Sequence, residues 1–387
     1  MGDLQLTSVS SLSLIEPSEW NAIANPPGLP YDPFLSWEFL EALESTGTAT
    51  PATGWTPLHM CIRNAENKLI AAMPLYAKSH SRGEFVFDHS WADAYERAGG
   101  MYYPKLLSAV PFTPVTGRRF FIDPSEPDQE GLRNALIAGA IQIAQDNNLS
   151  SLHINFLPEA DYEQLGELGL LQRTDQQFHF INEGYHSFDE FLACLSSAKR
   201  KNLRKERKRA QEGLTFKWLT GDQITEDDWD IFFDFYMDTG SRKWGSPYLY
   251  RETFSLLNER MGDKILLIFA CEDDQPIAGA LNFIGSETLY GRYWGRIDDR
   301  PFLHFEVCYY QAIDFAIEHG LKCVEAGAQG GHKLARGYGP VTTYSSHWIE
   351  HEGLRHAIDD YLAREREAVT QEQAYLETRQ PFRKSEE

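Results

Sequence analysis

The chain has 387 residues, 42% hydrophobic and 13% aromatic, and a formal net charge of −21. The length argues for two domains. The apolar content excludes a disordered chain, and the charge disfavours nucleic acid or anionic membrane as a partner except at a local basic site. Cysteines at 61, 194, 271, 308 and 323 make no CxxC pair and no even framework, so no metal site or disulfide is expected and a cytoplasmic setting fits. The N-terminus shows no signal-peptide pattern, and no run of about 18 apolar residues suggests a membrane span.

In chain order, 17–24 reads as a short helix with Trp20 and Ile23 on its apolar side. Ser36 caps a second, 37–44, with Trp37, Leu40 and Leu43 at helical spacing. Strands follow at 55–63 and 68–78, turning at Glu66-Asn67. Residues 80–117 are rich in Phe, Tyr, Trp, Pro and Gly. They read either as an aromatic wall of a groove or as an irregular packed loop. A strand at 118–122 precedes an amphipathic helix, 130–147, with Leu132, Leu136 and Ala140 on one face. A strand (151–156), a short helix (161–168) and a strand (177–181) close the first half.

The second half opens with a predicted helix over 188–213. Eight of the eleven residues from Lys199 to Arg209 are Lys or Arg, a local charge of +7. Continuing the stripe of Phe188, Phe191, Leu192 and Leu195 at 100° per residue turns Lys199, Asn202 and Glu206 inward. The same phase turns Lys201, Arg204, Lys205 and Lys208 outward. The outward face is either a solvated surface or a seat for tRNA phosphates. A strand (215–219), helices (226–239 and 250–261) and three strands (264–271, 277–284 and 289–297) come next. A helix over 302–318, closed by Gly320, follows. The stretch CVEAGAQGGHKLARGYGPVTTYSSHWI (323–349) is a strand, a glycine-rich loop and a strand, and a final helix covers 353–366. Within twelve residues the loop gathers Glu325, Gln329, His332, Lys333 and Arg336, more chemistry than a connector requires.

This order of elements, run through twice, resembles the GNAT acyltransferase fold in tandem. The blocks GEFVFD (83–88), YYPKL (102–106), PFTPVTG (111–117), KRKNLRKER (199–207), HFEVCYYQAIDFAIEHGL (304–321) and EAGAQGGHKLARGY (325–338) resemble the FemAB-like predicted N-acyltransferases, relatives of the Fem-type peptidyltransferases. The resemblance implies an α+β chain of two GNAT-like domains, each a mixed, mostly antiparallel sheet flanked by helices. Their bounds are placed at 1–184 and 185–370, with a polar tail at 371–387. It further implies transfer of an acyl or aminoacyl group to an amine of a small molecule or peptide. The groove would lie between the domains, and the donor would be an acyl-CoA or an aminoacyl-tRNA, the latter held by the Lys199–Arg209 helix. The family's diphosphate-binding pattern is missing: the chain reads RIDDRPFLHFEV before the 302–318 helix and IDPSEPDQEG before the 130–147 helix.

Such a transfer needs a base, a group to steady the oxyanion and a hold on the substrates. Glu325, His332 and Lys333 are the catalytic candidates. Tyr102, Tyr103, Phe112, Thr113 and Thr116 would supply one substrate wall. Lys199, Trp244, Tyr293, Trp294, His304, Gln329 and Arg336 would supply the rest. Each also reads as an ordinary loop or core residue, and a non-catalytic ligand-binding protein on a degenerate acyltransferase scaffold is the rival expectation.

Overall fold

A computed structural model describes residues 4–242, 247–327 and 330–383. It divides into two compact units, residues 1–175 with 342–370, and 176–341 with 371–387. The first holds strands β1 (Gln5–Val9), β2 (Trp55–Pro57), β3 (His59–Arg63), β4 (Leu69–Met73), β5 (Tyr76–Lys78), β6 (Lys105–Ser108), β7 (Phe121–Ile122) and β8 (Ser151–Leu157). Strand β9 (Leu171–Ile181) leads into the second unit. There β10 (Thr215–Leu219), β11 (Ile265–Glu272), β12 (Gln275–Ile284), β13 (Thr288–Arg296) and β14 (Cys323–Glu325) follow, and β15 (Gly339–Ile349) leads back.

This division departs from the boundary read after residue 184. A strand's alternation shows which residues it buries but not which sheet it joins, so the exchange of β9 and β15 left no mark in the sequence. Residues 371–383, read as part of a polar tail, are tied to the second unit. The last helix runs Glu352–Glu377, Leu376 and Phe382 pack on the second unit's core, and Leu195 bridges Phe382.

In the first unit the expected hairpin forms, but each arm is broken. β1, β3, β4 and β7 make one sheet. A second ladder pairs β2 with β5, β5 with β6, β6 with β8, and β8 with the end of β15. One face of this ladder carries Ala77, Leu106, Leu152 and Ile154 into a core shared with Leu132, Leu136 and Ala140 of the helix Gln129–Asp146. Side chains alternate along strands, and the other face carries Lys78, Lys105, His153 and His347, all buried.

That ionisable face is covered by the 80–103 segment, where a helix, His89–Arg97, replaces the irregular loop the sequence suggested. Lys105 Nζ donates to Glu84 Oε2 at 2.7 Å, to Ser81 Oγ at 2.8 Å, and to Asp88. The Tyr102 hydroxyl donates to Asp88 at 2.7 Å and lies 3.3 Å from His153 Nε2. His153 and His347 share a 2.7 Å contact between their Nδ1 atoms. A buried charge or dipole persists only when partnered, and these partners come from strands and loops far apart in sequence.

Burial, with Lys105 as the main adverse charge, lowers the pKa of His153 to about 3, and burial takes that of His347 well below its ordinary value. Both histidines therefore bind protons more readily unfolded, where the pKa is about 6.5. Their contribution to stability is complete above about pH 6.5 and is lost as pH falls toward 3. Glu84, raised to about 7 by burial, acts with the opposite sign as pH rises from about 4.5 to 7. Urea midpoints taken from pH 7 to pH 3 are therefore expected to fall most steeply below about pH 4.5. In a His153→Phe/His347→Phe variant this drop is expected to flatten.

In the second unit the sheet order is β10-β11-β12-β13-β14 followed by the end of β9. All neighbours are antiparallel except β13 and β14, which are parallel. Phe178, Phe180, Leu289 and Val324 face a core that includes Val307, Tyr310 and Ile313 from the helical segment after β13. The opposite alternation carries Gln177, His179, Ile181 and Glu325.

The basic segment is not one helix. Phe188–Cys194 ends, and Ser197–Ala210 begins anew. The break is held by the chain's C-terminal segment: Ser196 N donates to Pro381 O, and Arg383 N to Cys194 O, each at 3.0 Å. The second helix takes a new phase, burying Leu203 and Ala210. Glu206 and Arg207 also turn inward, while Lys199 and Asn202, expected inward, are exposed. Lys201, Arg204, Lys205 and Lys208 are exposed as expected.

Candidate active site

Three adjacent strands of the second unit bring a guanidinium, a carboxylate and an imidazole into one row. β12 and β13 slip register between Leu281 and Asn282, so that Leu281 pairs Tyr293, Asn282 pairs Gly291 and Arg292 is the extra residue. Such a bulge re-aims the side chain it carries. Arg292 Nη2 donates to Glu325 Oε2 at 3.0 Å, with both side chains buried. Glu325 lies opposite His179 on the antiparallel β9. Its Oε1 is 4.0 Å from His179 Nε2, near but outside hydrogen-bond range. Gln177 Oε1 lies 3.3 Å from the same nitrogen.

The Gln177 amide oxygen can only accept, so Nε2 carries the proton and Nδ1 keeps its lone pair. Burial lowers the pKa of His179, with Glu325 working against it. The ring is therefore neutral near pH 7 and able to accept a proton.

His179 lines a cleft of about 360 Å³ formed within the second unit, a size that suits a small ligand. Ile181, Val341 and Phe382 supply apolar surface, and Glu183 and Gln380 supply polar groups. Gly337 closes one side in a left-handed turn with φ 89°, and a Cβ there would come within 2.6 Å of the Phe191 ring. That approach and that φ both require glycine. His179 is not among the residues expected from sequence. Its signal was the alternation of Gln177, His179 and Ile181 against Phe178 and Phe180, but nothing in the sequence paired that strand with Glu325.

The glycine-rich loop separates into different roles. Lys333 is 1% exposed, and its Nζ donates to Ala326 O at 2.5 Å and Gly327 O at 2.8 Å. It ties the loop to the end of β14, and burial lowers its pKa to about 8. Arg336 forms a two-pronged pair with Glu206 at 3.0 and 2.9 Å and lies 3.4 Å over the Phe305 ring. It is therefore committed to the protein rather than open to a substrate anion. A double-mutant cycle of Arg336→Ala and Glu206→Ala, read by urea denaturation, is expected to give a coupling of about 1.5–3 kcal/mol.

His332 is exposed, and its Nε2 lies 3.0 Å from the Tyr309 hydroxyl. Burial, followed by Arg336 and Lys333, lowers its pKa. Burial also holds the Tyr309 phenol well above its usual range, so it stays protonated. Tyr309 lies within a π-helical turn, Glu306–Tyr310, a distortion frequent at functional sites. His304 packs on Trp294, with ring centroids 4.6 Å apart, and lies 6.2 Å from the His332 ring. Tyr293 is half-buried edge-on to Tyr236.

Glu306, in the same π-helical turn, is fully buried. It accepts from Arg207, Gln211 and Gln311 at 3.2, 2.9 and 2.8 Å. The predicted residues Trp244 and Gln329 lie outside the described residues. In the first unit Tyr102, Phe112 and Thr113 are buried rather than lining a surface, while Tyr103 and Thr116 are half-buried. Their aromatic and β-branched bulk is used in packing, and the Tyr102 hydroxyl is bound to Asp88. Among the described residues no group of His, Cys, Asp and Glu could hold a metal ion, and no helix is long and apolar enough to cross a membrane.

The FemAB-like family model, described as peptidoglycan biosynthesis/recognition, matches residues 11–384. No curated protein sequence matches the chain. Among solved structures, FemX is similar with a TM-score of 0.56 at 13% identity, over 89% of this chain and 98% of that one. A conserved protein of unknown function from Bacteroides thetaiotaomicron has a TM-score of 0.51 at 11% identity, over 89% and 100%. A tandem GNAT protein from the clavulanic acid biosynthesis pathway has a TM-score of 0.48 at 11% identity, over 90% and 98%. At such identities the likeness is one of fold. The chain has the expected fold of two GNAT-like domains with mixed, mostly antiparallel sheets.

Proposed function

The chain belongs to the FemAB-like family, whose acyl- and aminoacyl-transfer chemistry places it among acyltransferase-type enzymes, and we propose that the second unit transfers an aminoacyl group from aminoacyl-tRNA to an amine. The observation that carries this reading is the Arg292–Glu325–His179 row beside a cleft of ligand size. The acceptor nitrogen attacks the ester carbonyl carbon, His179 Nδ1 takes the N–H proton, and the C–O bond to the donor breaks. Arg292 holds Glu325, Gln177 fixes the His179 tautomer, and the Glu325 carboxylate favours the imidazolium that forms. His179 then returns that proton to the departing oxygen. General acid–base help of this kind is worth about 10²–10⁴-fold in rate.

Two observations favour tRNA over a coenzyme A thioester as the donor. Lys199, Lys201, Lys205, Lys208 and Arg209 form an exposed cationic set on the helix Ser197–Ala210, which suits a phosphate backbone. The approach to Leu303 carries Asp298 and Asp299, with Arg300 committed to Glu272 and Asp298, and Arg296 to Asp299. A diphosphate would meet acid there. The test is a single-turnover assay with labelled aminoacyl-tRNA, acyl-CoA and an amine panel, read by mass spectrometry. Amide formed from charged tRNA and suppressed by salt supports the reading, whereas amide formed from acyl-CoA alone overturns the choice of donor.

A further inference from the structure

We infer that the acceptor entering the 360 Å³ cleft is a cationic amine on a short apolar stem, an inference that rests on the transfer reading above. Ile181, Val341 and Phe382 offer the apolar surface against which methylene groups pack. Glu183 is exposed, and no lysine or arginine is among the described residues lining the cleft.

The cations nearest the row are all committed. Arg292 is paired with Glu325, Lys333 donates to two carbonyls, and Arg336 is paired with Glu206. An acceptor bearing phosphate or carboxylate therefore meets Glu183 with no cation on the lining to offset it. An ammonium is attracted by Glu183, and its stem follows the apolar wall toward His179. Gln380 adds an amide that can meet a second polar end. The charge preference belongs to the rim and the proton removal to His179, so recognition and chemistry are separable.

The experiment is calorimetric titration of the full chain with hexane-1,6-diamine, hexylamine and 6-aminohexanoate, which share a stem and differ in the charge at its far end. The diamine is expected to bind about 2- to 5-fold more tightly than hexylamine, the range of an exposed ion pair, and hexylamine more tightly than the amino acid. Glu183→Gln is expected to remove the advantage of the diamine. Ile181→Arg, at a position already 48% exposed, is expected to reverse the order. Equal binding of all three ligands, or a preference for 6-aminohexanoate in the unaltered chain, would overturn the inference. The same ligands are then offered as acceptors with charged tRNA. Charge-ordered binding without amide formation counts against the transfer reading alone, and amide formation without a charge order counts against the acceptor class alone.

Discussion

Lys105→Met is expected to destabilise the protein by about 3–5 kcal/mol at pH 7, the cost of removing one partner from a buried ion pair. Lys105 is 0% exposed, and its ammonium is shared by Glu84, Asp88 and Ser81. Methionine fills similar volume, so the loss is electrostatic rather than a cavity. Without the ammonium, Glu84, already raised to about 7 by burial, takes a proton at neutral pH. The penalty then falls mainly on Asp88, whose carboxyl Lys105 and His153 now hold far below its usual range against the pull of burial. Adding Asp88→Asn to Lys105→Met is therefore expected to recover much of the loss, because the amide keeps an acceptor for Tyr102 without the charge. Urea denaturation of both variants checks this. A loss below about 1 kcal/mol for Lys105→Met would show that the polar face of the first unit is not held by this ammonium.

How much of the molecule was legible in its sequence follows from the range of the interactions involved. The helix Gln129–Asp146 was readable because Leu132, Leu136 and Ala140 recur at its own period. The three strands from Ile265 to Arg296 were readable because each turns locally. The break at Leu195–Ser196 was not, because residues 381–383 cause it, and with the break went the phase that had turned Lys199 inward. The pairing of His153 with His347, 194 positions away, left no local signal. Within the glycine-rich loop the composition marked chemistry, but residue types could not sort it. Glu325 joins the row with Arg292 and His179, whereas Lys333 and Arg336 spend their charge on the protein's own carbonyls and on Glu206. The missing partner, His179, was written as the polar half of an alternating strand, a pattern that many half-buried strands share.

His179→Gln is expected to lower kcat about 10²–10⁴-fold while changing stability by less than about 1 kcal/mol. Glutamine retains an amide N–H for Gln177 but has no group that accepts a proton near neutral pH. Loss of the base should leave amine binding in place, so KM is expected to hold while kcat falls, the pattern of a group that acts in the transition state. In the unaltered enzyme kcat is expected to decline as pH falls and the imidazole becomes protonated, and the variant is expected to lose that dependence. Glu325→Gln should act more weakly, through the imidazolium at His179, and should leave Arg292 without its counter-charge.

The most direct test is the single-turnover rate of amide formation from pre-bound aminoacyl-tRNA, measured across pH for the unaltered chain and for His179→Gln with a saturating amine. The rate is expected to be at least about 10²-fold lower in the variant, with the acidic limb of the pH profile gone and the amine Kd unchanged. A variant that forms amide at the unaltered rate with the same pH profile would contradict this expectation and remove the Arg292–Glu325–His179 row from the chemistry.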